Sequence, residues 1–439
     1  MGFFGRKRAP SVPHPRKEPR FDGPLTLKRL EQIFQDCVDF TKRPVSLGEG
    51  GACTLTLCYL SGMVKMERVS DYVLRPLAQD EALARCGTPR QAMEEMMGGA
   101  LYNLSAAERT TLDEAAFDLV AGWCLLFFPG ESAVLSLFVG TEEKRSISSP
   151  SNETVLKGSR DAFVESLRTN TSIVRRHLKA PELRIREQVV GRQSVTSVDI
   201  LYIEGLTNPH LVEQVAAQLA DIDIDAVLAT GNIEEYIVPA ARTAFPLVQY
   251  TERSDRFCAG LAEGRGGILI DGLPLGYLAP GVLGDFLQAP QDKSESWLLA
   301  SALTLLRYLC MLGTLLLPAL YVAMVTFHQE MIPTRLALSI IAAKQDVPFR
   351  SVFEVIVLLL AFEILQEAGL RLPQSIGQTV SIIGGLVVGS AAVEAKIISP
   401  AVLIVVAIAG IAGYTMPSQE VAGALRIWRF LLALLASAA

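Results

Sequence analysis

Behind Ser301 the chain contains uncharged runs long enough to cross a bilayer, and this limits its fold more than any other feature. The first, residues 308–327, reads YLCMLGTLLLPALYVAMVTF; its twenty residues, at about 1.5 Å each, match a hydrocarbon core of about 30 Å. A second run covers 376–393 and a third 397–419. A last apolar stretch follows Arg429 and meets the chain end after ten residues. That is too short to cross, so it reads as a stub or a truncation.

The apolar excess is local. Half of all residues are hydrophobic and mean hydropathy is +0.33, but the part before Ser301 has an ordinary globular balance. The net charge of −6 lies in this front part, residues 304–439 being close to neutral. No large basic face is visible, which excludes nucleic acid as the main partner. Arg6, Lys7, Arg8, Arg16, Lys17 and Arg20 share the first twenty residues with four prolines. A basic, disordered tail over 1–24 is expected, with anionic lipid headgroups as an alternative contact. No apolar run follows these charges, so no signal peptide is read and the front region is expected on the cytosolic side. Seven scattered cysteines and four separated histidines give no Cys-x-x-Cys, no metal site and no disulfide framework. No cofactor is expected.

Two segments of the membrane half carry candidate function. Residues 352–368, VFEVIVLLLAFEILQEA, are apolar but include Glu354, Glu363 and Glu367. Glu363, Glu367 and Arg371 are four apart and share one helical face, an intramembrane polar stripe with Arg371 near Glu367. A carboxylate in lipid is costly, so these groups should face protein or water. An interfacial helix, an internal ion pair, and a stripe facing a pore or a partner subunit all satisfy this. Residues 376–393, IGQTVSIIGGLVVGSAAV, offer Gly384, Gly385 and Gly389 for close helix packing. Val380, Ile383 and Val387 recur at i, i+3 and i+7, with Gln378 at one mouth, and form a candidate pore lining. Packing within one monomer is the competing explanation for the glycines.

The front half repeats itself. TLCYLSGM (56–63) parallels DILYIEGL (199–206), and WCLLFF (123–128) parallels GGILID (266–271), both at an offset of 143. Both runs of the first pair are followed by a helical pattern, and both runs of the second are preceded by one. The fold class expected is therefore an α/β soluble region of two similar subdomains followed by an α-helical transmembrane region. The boundaries are a tail over 1–24, a first subdomain over 25–150, a linking helix and second subdomain over 151–300, and a multi-helix membrane domain over 301–439. The repeat pairs Tyr59 with Tyr202 and Leu125 with Ile268. Residues 161–184 predict an amphipathic helix with Phe163, Leu167 and Ile173 or Val174 on one face, interrupted by Pro181. Its Arg175, Arg176, His177 and Lys179 read as a solvated basic face, with a contact to an acidic neighbour or a lipid headgroup as the alternative. The glycine-rich stretches at 48–51 and 264–267 lead into strands rather than opening helices, which excludes a phosphate cradle. No Ser/His/Asp or Cys/His constellation can be placed.

Several longer segments resemble the GerA family of spore germination proteins, the A subunits of germinant receptors. They are KGSRDAFVESLRTNTSIVRRHLKAPELR (157–184), FPLVQYTERSD (245–255), GGILIDGLP (266–274), LRYLCMLGTLLLPALYVAMVTFHQEMIPT (306–334), VPFRSVFEV (347–355), FEILQEAGLRLPQSIGQTVSIIGGLVVG (362–389) and AVEAKIISP (392–400). Their order and spacing agree over about residues 45–435. Ser254 stands where the family commonly has proline, Lys293 and Ser294 follow Asp292 in place of an Asp-Tyr-Tyr-like element, and Gly389-Ser390-Ala391-Ala392 stands for the usual G-Q-A-A. The resemblance implies a non-enzymatic membrane protein of the endospore inner membrane. It implies a homo-oligomer that works with a transporter-like B subunit and a lipoprotein C subunit, forming an ion channel gated by nutrient germinants. The segment 158–161 also resembles the AF-type sporulation paralogue, which would act with the dipicolinate-release machinery. A membrane-anchored α/β enzyme is the alternative from another class.

Overall fold

The computed structural model describes residues 20–47, 54–101, 105–140, 150, 153, 155, 158–227, 235–238, 243–371 and 389–438. They fall into two units, Met1–Ala240 with Val248–Pro280 and Ala241–Leu247 with Gly281–Ala439.

In the first unit, strands with apolar residues on both faces explain the layering. Its strands are β1 (Phe40–Ser46), β2 (Thr54–Leu60), β3 (Ala106–Arg109), β4 (Trp123–Phe127) and β5 (Val134–Phe138), then β6 (Leu183–Val190), β7 (Thr196–Ile203), β8 (Gln249–Thr251), β9 (Gly266–Ile270) and β10 (Gly276–Ala279). On β2, Leu55, Leu57 and Tyr59 join a core with Val69, Val73 and Leu77 of the helical run that starts at Met66–Val69. Cys58 and Leu60 point the other way and meet α1 (Leu27–Ile33) and α2 (Leu112–Val120). A sheet buried on both faces needs such near-continuous apolar strands. β7 repeats the arrangement. Val198 and Ile200 pack against α4 (Pro209–Ala220), and Leu201 against α3 (Leu167–His177) and α5 (Ser254–Ala262).

The two sheets share one topology. Their strand orders are β1-β2-β4-β5-β3 and β6-β7-β9-β10-β8, all pairs antiparallel. Thr41 pairs with Tyr59 as Arg184 pairs with Tyr202, so the 143-residue offset holds through the first hairpin and Tyr59 matches Tyr202. Beyond it the offset is 142. Leu125 pairs with Cys58, whereas the residue opposite Leu201 is Gly267, not Ile268. The expected Leu125–Ile268 match is therefore corrected to Leu125–Gly267. A one-residue slip reverses every side chain on a strand, and Ile268 accordingly lies in the core on the opposite face of its sheet from Leu125. The second half is one residue shorter between β7 and β8.

The segment before α3 is also corrected. The helix begins at Leu167, and Phe163 precedes it. Asn170 Oδ1 accepts from the Val164 amide at 2.8 Å, and its Nδ2 donates to the Val164 carbonyl at 2.6 Å, which ties the approach down outside the helix. Asp271 Oδ1 accepts from the Leu167 amide at 3.0 Å and satisfies one of the first-turn donors. The basic residues are not all solvated: Arg175 is 1% exposed. Its Nε and Nη2 hold the two oxygens of Asp39 at 2.8 and 2.9 Å, and its Nη1 donates to the Leu183 carbonyl at 2.9 Å. This buried fork joins the two halves, beside a backbone bond from Val38 to Ile185 at 3.0 Å. Arg20 also reaches from the expected tail, pairing with Glu182 at 2.8 Å.

Asp199 stands on β7 where the first half has Thr56. It is fully buried, and its nearest cation is Arg168, 3.3 Å away. Burial pushes its carboxyl up to about 7, against the opposing pull of Arg168. The folded chain thus binds a proton more tightly than the unfolded one, so stability present at about pH 4 is lost as pH rises towards 7. Asp199→Asn is expected to raise the thermal midpoint above pH 7, by an effect of a few kcal/mol, and to change it little near pH 4. Parallel pH profiles for the two proteins would contradict this assignment.

The second unit is helical: a short α6 (Leu283–Leu287), then α7 (Trp297–Thr326), α8 (Thr334–Lys344), α9 (Ser351–Arg371), α10 (Pro400–Gly413) and α11 (Gln419–Ala438). Along α7, Leu305, Leu309, Leu312, Leu316 and Leu320 are exposed, while Thr314, Ala319 and Tyr321 are buried. Leucines outside and small or polar residues inside is the pattern of a helix packed in lipid. Thr314 Oγ1 donates to the Ala409 carbonyl of α10 at 3.1 Å. Among the described residues α7 and α11 are long and apolar enough to cross a membrane, with mean hydropathy 2.0 and 1.6.

Two sequence expectations change here. The run 397–419 is not one span, because α10 ends at Gly413 and Pro417 cannot continue a helix for want of an amide donor. Ser418 then opens α11, its Oγ accepting from Val421. The apolar stretch after Arg429 is the second half of that 20-residue helix rather than a stub. Arg429 does not end the apolar segment, because its charge is paired inside the bundle.

Candidate functional site

The charge that meets Arg429 is Glu363. The apolar surface of α9 surrounds it: Val355, Leu358 and Leu359 are buried, while Phe353, Leu360 and Ile364 are exposed. Glu363 Oε1 accepts from Arg429 Nη2 at 2.6 Å, and Oε2 lies 3.4 Å from Arg426 Nη1. Arg429 is 3% exposed. One carboxylate thus faces two guanidiniums among apolar helices.

Glu354, one turn into α9, is 1% exposed and is also paired, through one hydrogen bond and one longer ionic contact. Its Oε2 accepts from the Ser399 amide at 2.8 Å, at the start of α10, and its Oε1 lies 3.6 Å from Lys344 Nζ. A carboxylate at a helix start meets the positive end of the peptide dipoles. Asp292 does comparable work ahead of α7. It accepts from the Ala289 amide at 2.8 Å and pairs with Arg307. Burial raises its pKa, but the Arg307 hydrogen bonds win and hold the carboxyl below its ordinary range.

The predicted polar stripe is therefore divided. Glu363 faces protein, as the cost of a bare carboxylate requires. Its partners come from α11, not from its own helix. Glu367 is exposed and has a polar partner of its own. The side chain of Arg371 lies outside the described residues, and so do Gln378, Val380, Ile383, Gly384, Gly385 and Val387. Gly389 is described, and a Cβ built on it would stand 3.2 Å from Leu403, so the glycine permits a tight contact with α10. Sequence reasoning missed Arg426 and Arg429. Two arginines three residues apart in an apolar stretch, with an acidic apolar helix elsewhere in the chain, are the signal that could have found them.

The first unit holds a serine, a histidine and an aspartate that the sequence did not bring together. Ser254 Oγ lies 3.1 Å from His177 Nε2, and that same nitrogen lies 3.8 Å from Asp161 Oδ2. A catalytic relay needs the serine and the aspartate on different ring nitrogens. Ser254 is also fully buried, with its Oγ 3.1 Å and its amide 3.3 Å from the Asp161 carbonyl. The group is a polar clasp at the start of α5. A proline at 254 would suit the first helical turn but lose both bonds to Asp161. Next to it Arg253 is 2% exposed and forks onto Asp255 at 3.0 and 2.6 Å. Among the described residues no group of acidic, histidine or cysteine side chains could hold a metal ion.

Comparison with known proteins covers both units. The family described as "Bacillus/Clostridium GerA spore germination protein" matches residues 28–439. The "Uncharacterized membrane protein YfkQ" of Bacillus subtilis (strain 168) is 38% identical over 411 residues, 94% of this chain and 79% of that protein. "Spore germination protein KA" of the same strain is 37% identical, over 90% of this chain and 72% of its own length. "Spore germination protein GerLA" of Bacillus cereus is 34% identical, over 94% of this chain and 83% of its own length. A similar solved structure is the N-terminal domain of the A subunit of the Bacillus megaterium spore germinant receptor GerK3. It is 27% identical, with a TM-score of 0.46, over 58% of this chain and 94% of that one.

Proposed function

The chain belongs to the GerA family of spore germination proteins, and from that premise we propose that it is the A-type subunit of a germinant receptor, acting as a nutrient-gated ion channel. The observation that carries this reading is the match over 28–439, which takes in the helical unit as well as the duplicated α/β unit. The leucine-outside packing of α7 supports a place in the lipid, and the Glu363–Arg429 pair supports charges turned inward from it. The subunit assembles with further copies of itself around an axis, and with a transporter-like subunit and a lipoprotein. Its home is the spore inner membrane, with the α/β unit on the cytosolic side, and it carries no catalytic activity.

The pore is assigned to the segment with Gln378, Val380, Ile383 and Val387, where an apolar constriction closes by dewetting. Gly384, Gly385 and Gly389 let neighbouring copies approach. Val387→Ser should hydrate the constriction and give a leak conductance in reconstituted membranes without germinant. In spores the same change should cause premature germination. Wild-type conductance from an oligomer that still assembles would refute the pore assignment.

A further inference from the structure

Within the helical unit, residues of α7, α9, α10 and α11 and of the α10–α11 connection line a partly open cavity of about 380 Å³. That is the scale of a pocket for a small organic molecule. Arg426 and Arg429 line it, and among the described residues Glu363 is the carboxylate that pairs with both, two cations to one anion. Arg429 spends Nη2 on Glu363, while its buried Nε has no hydrogen-bond partner. An unpaired buried donor on a guanidinium is costly, and a ligand oxygen is a natural acceptor for it. Gln366 adds a second unpartnered polar atom, its Oε1, to the same lining. Met416, Ala422 and Leu425 give the wall an apolar side, while Thr314, Tyr414 and Gln419 also line it.

We propose that this cavity binds a small organic monocarboxylate. Its carboxylate lies on the Arg426–Arg429 pair and its apolar body rests against Met416 and Leu425. One negative charge balances the cluster, and the planar fork of arginine fits a carboxylate better than a spherical anion. The apolar wall separates this ligand from inorganic phosphate, which offers charge alone. Gly410 also lines the cavity, and a Cβ added there would meet no atom within 4 Å. The space is therefore open to a side chain as well as to a ligand.

The test uses the full chain in phosphatidylcholine nanodiscs, with benzoate as the probe and benzamide as its neutral isostere. Millimolar benzoate should raise the thermal midpoint by roughly 3 °C, as ligand binding to the folded state requires. Benzamide and inorganic phosphate should not. Arg426→Gln should weaken benzoate binding about tenfold or more, and Arg426→Lys should restore part of it. Gly410→Leu fills the cavity without touching a charge and should abolish the benzoate shift in a protein that still unfolds cooperatively. Equal shifts with benzoate and benzamide, or with benzoate and phosphate, would overturn the proposal. So would unchanged benzoate binding in Gly410→Leu, or stabilisation by phosphatidylglycerol in the nanodisc with none by benzoate.

Discussion

Gly267→Leu should destabilise the second α/β half by more than about 3 kcal/mol, and Phe257→Ala in the same chain should return most of that loss. A Cβ on Gly267 would stand 2.4 Å from Phe257 Cζ and 3.0 Å from Leu261 Cδ2. Gly276 is equally closed, its Cβ falling 2.6 Å from Phe257 and 2.7 Å from Phe163. These rings are edge to face at 5.3 Å and fill the space the glycines leave. The first half solves the same problem the other way round. Leu125 and Val134 occupy the strand positions of Gly267 and Gly276, and Ala115 occupies the helix position of Phe257, all at the 142-residue offset. The bulk sits on the strands in the first half and on the helix in the second. Phe257→Ala alone opens a cavity and should cost about 3–5 kcal/mol. The triple change Phe257→Ala, Gly267→Leu and Gly276→Val copies the first half's core and should unfold later than either Gly267→Leu or Phe257→Ala. Chemical unfolding followed by near-ultraviolet circular dichroism decides it. A triple variant no more stable than the worse single change would show that the two cores are not interchangeable.

That exchange also marks where the sequence stopped being legible. The duplication is visible because β2 and β7 keep both their spacing and their alternation, down to Tyr59 and Tyr202. The lost residue between β7 and β8 is not visible, since Leu125 reads equally well against Ile268 or a residue beside it. Only the partner strand separates the two registers, and hydrophobicity carries no register by itself. Arg175 misled for a related reason. In a run with Arg176, His177 and Lys179 it looks solvated, and the Asp39 that draws it inward is 136 residues away. The membrane half shows the same limit. Short-range spacing placed Glu363, Glu367 and Arg371 on one face, which is what helical geometry can offer. The pairing with Arg429 crosses 66 residues and depends on how four helices pack. Charge was legible as a cost to be met, and its partner was not.

Glu363→Gln should therefore lower the stability of the helical unit far more than Glu367→Gln. Removing the carboxylate leaves Arg429, 3% exposed, without a counter-ion among apolar helices. Stripping one member from a buried pair costs about 3–5 kcal/mol, because the remaining charge stays desolvated. Arg426 is different: with its side chain 32% exposed it can turn outward. Glu367 is exposed, and loss of an exposed partner costs about 1 kcal/mol or less. Removing both members of the buried pair, in Glu363→Gln with Arg429→Met, should recover most of the loss, since a methionine of similar length fits the apolar surroundings. The readout is the thermal midpoint of the full chain in detergent, at low and at high salt. Most of the Glu363→Gln deficit should persist in high salt, because ions screen exposed charges far more than a guanidinium buried between helices. A deficit that matches Glu367→Gln, or one that vanishes with salt, would mean that Glu363 and Arg429 meet water, and the pair would then be a surface contact with no part in holding the bundle.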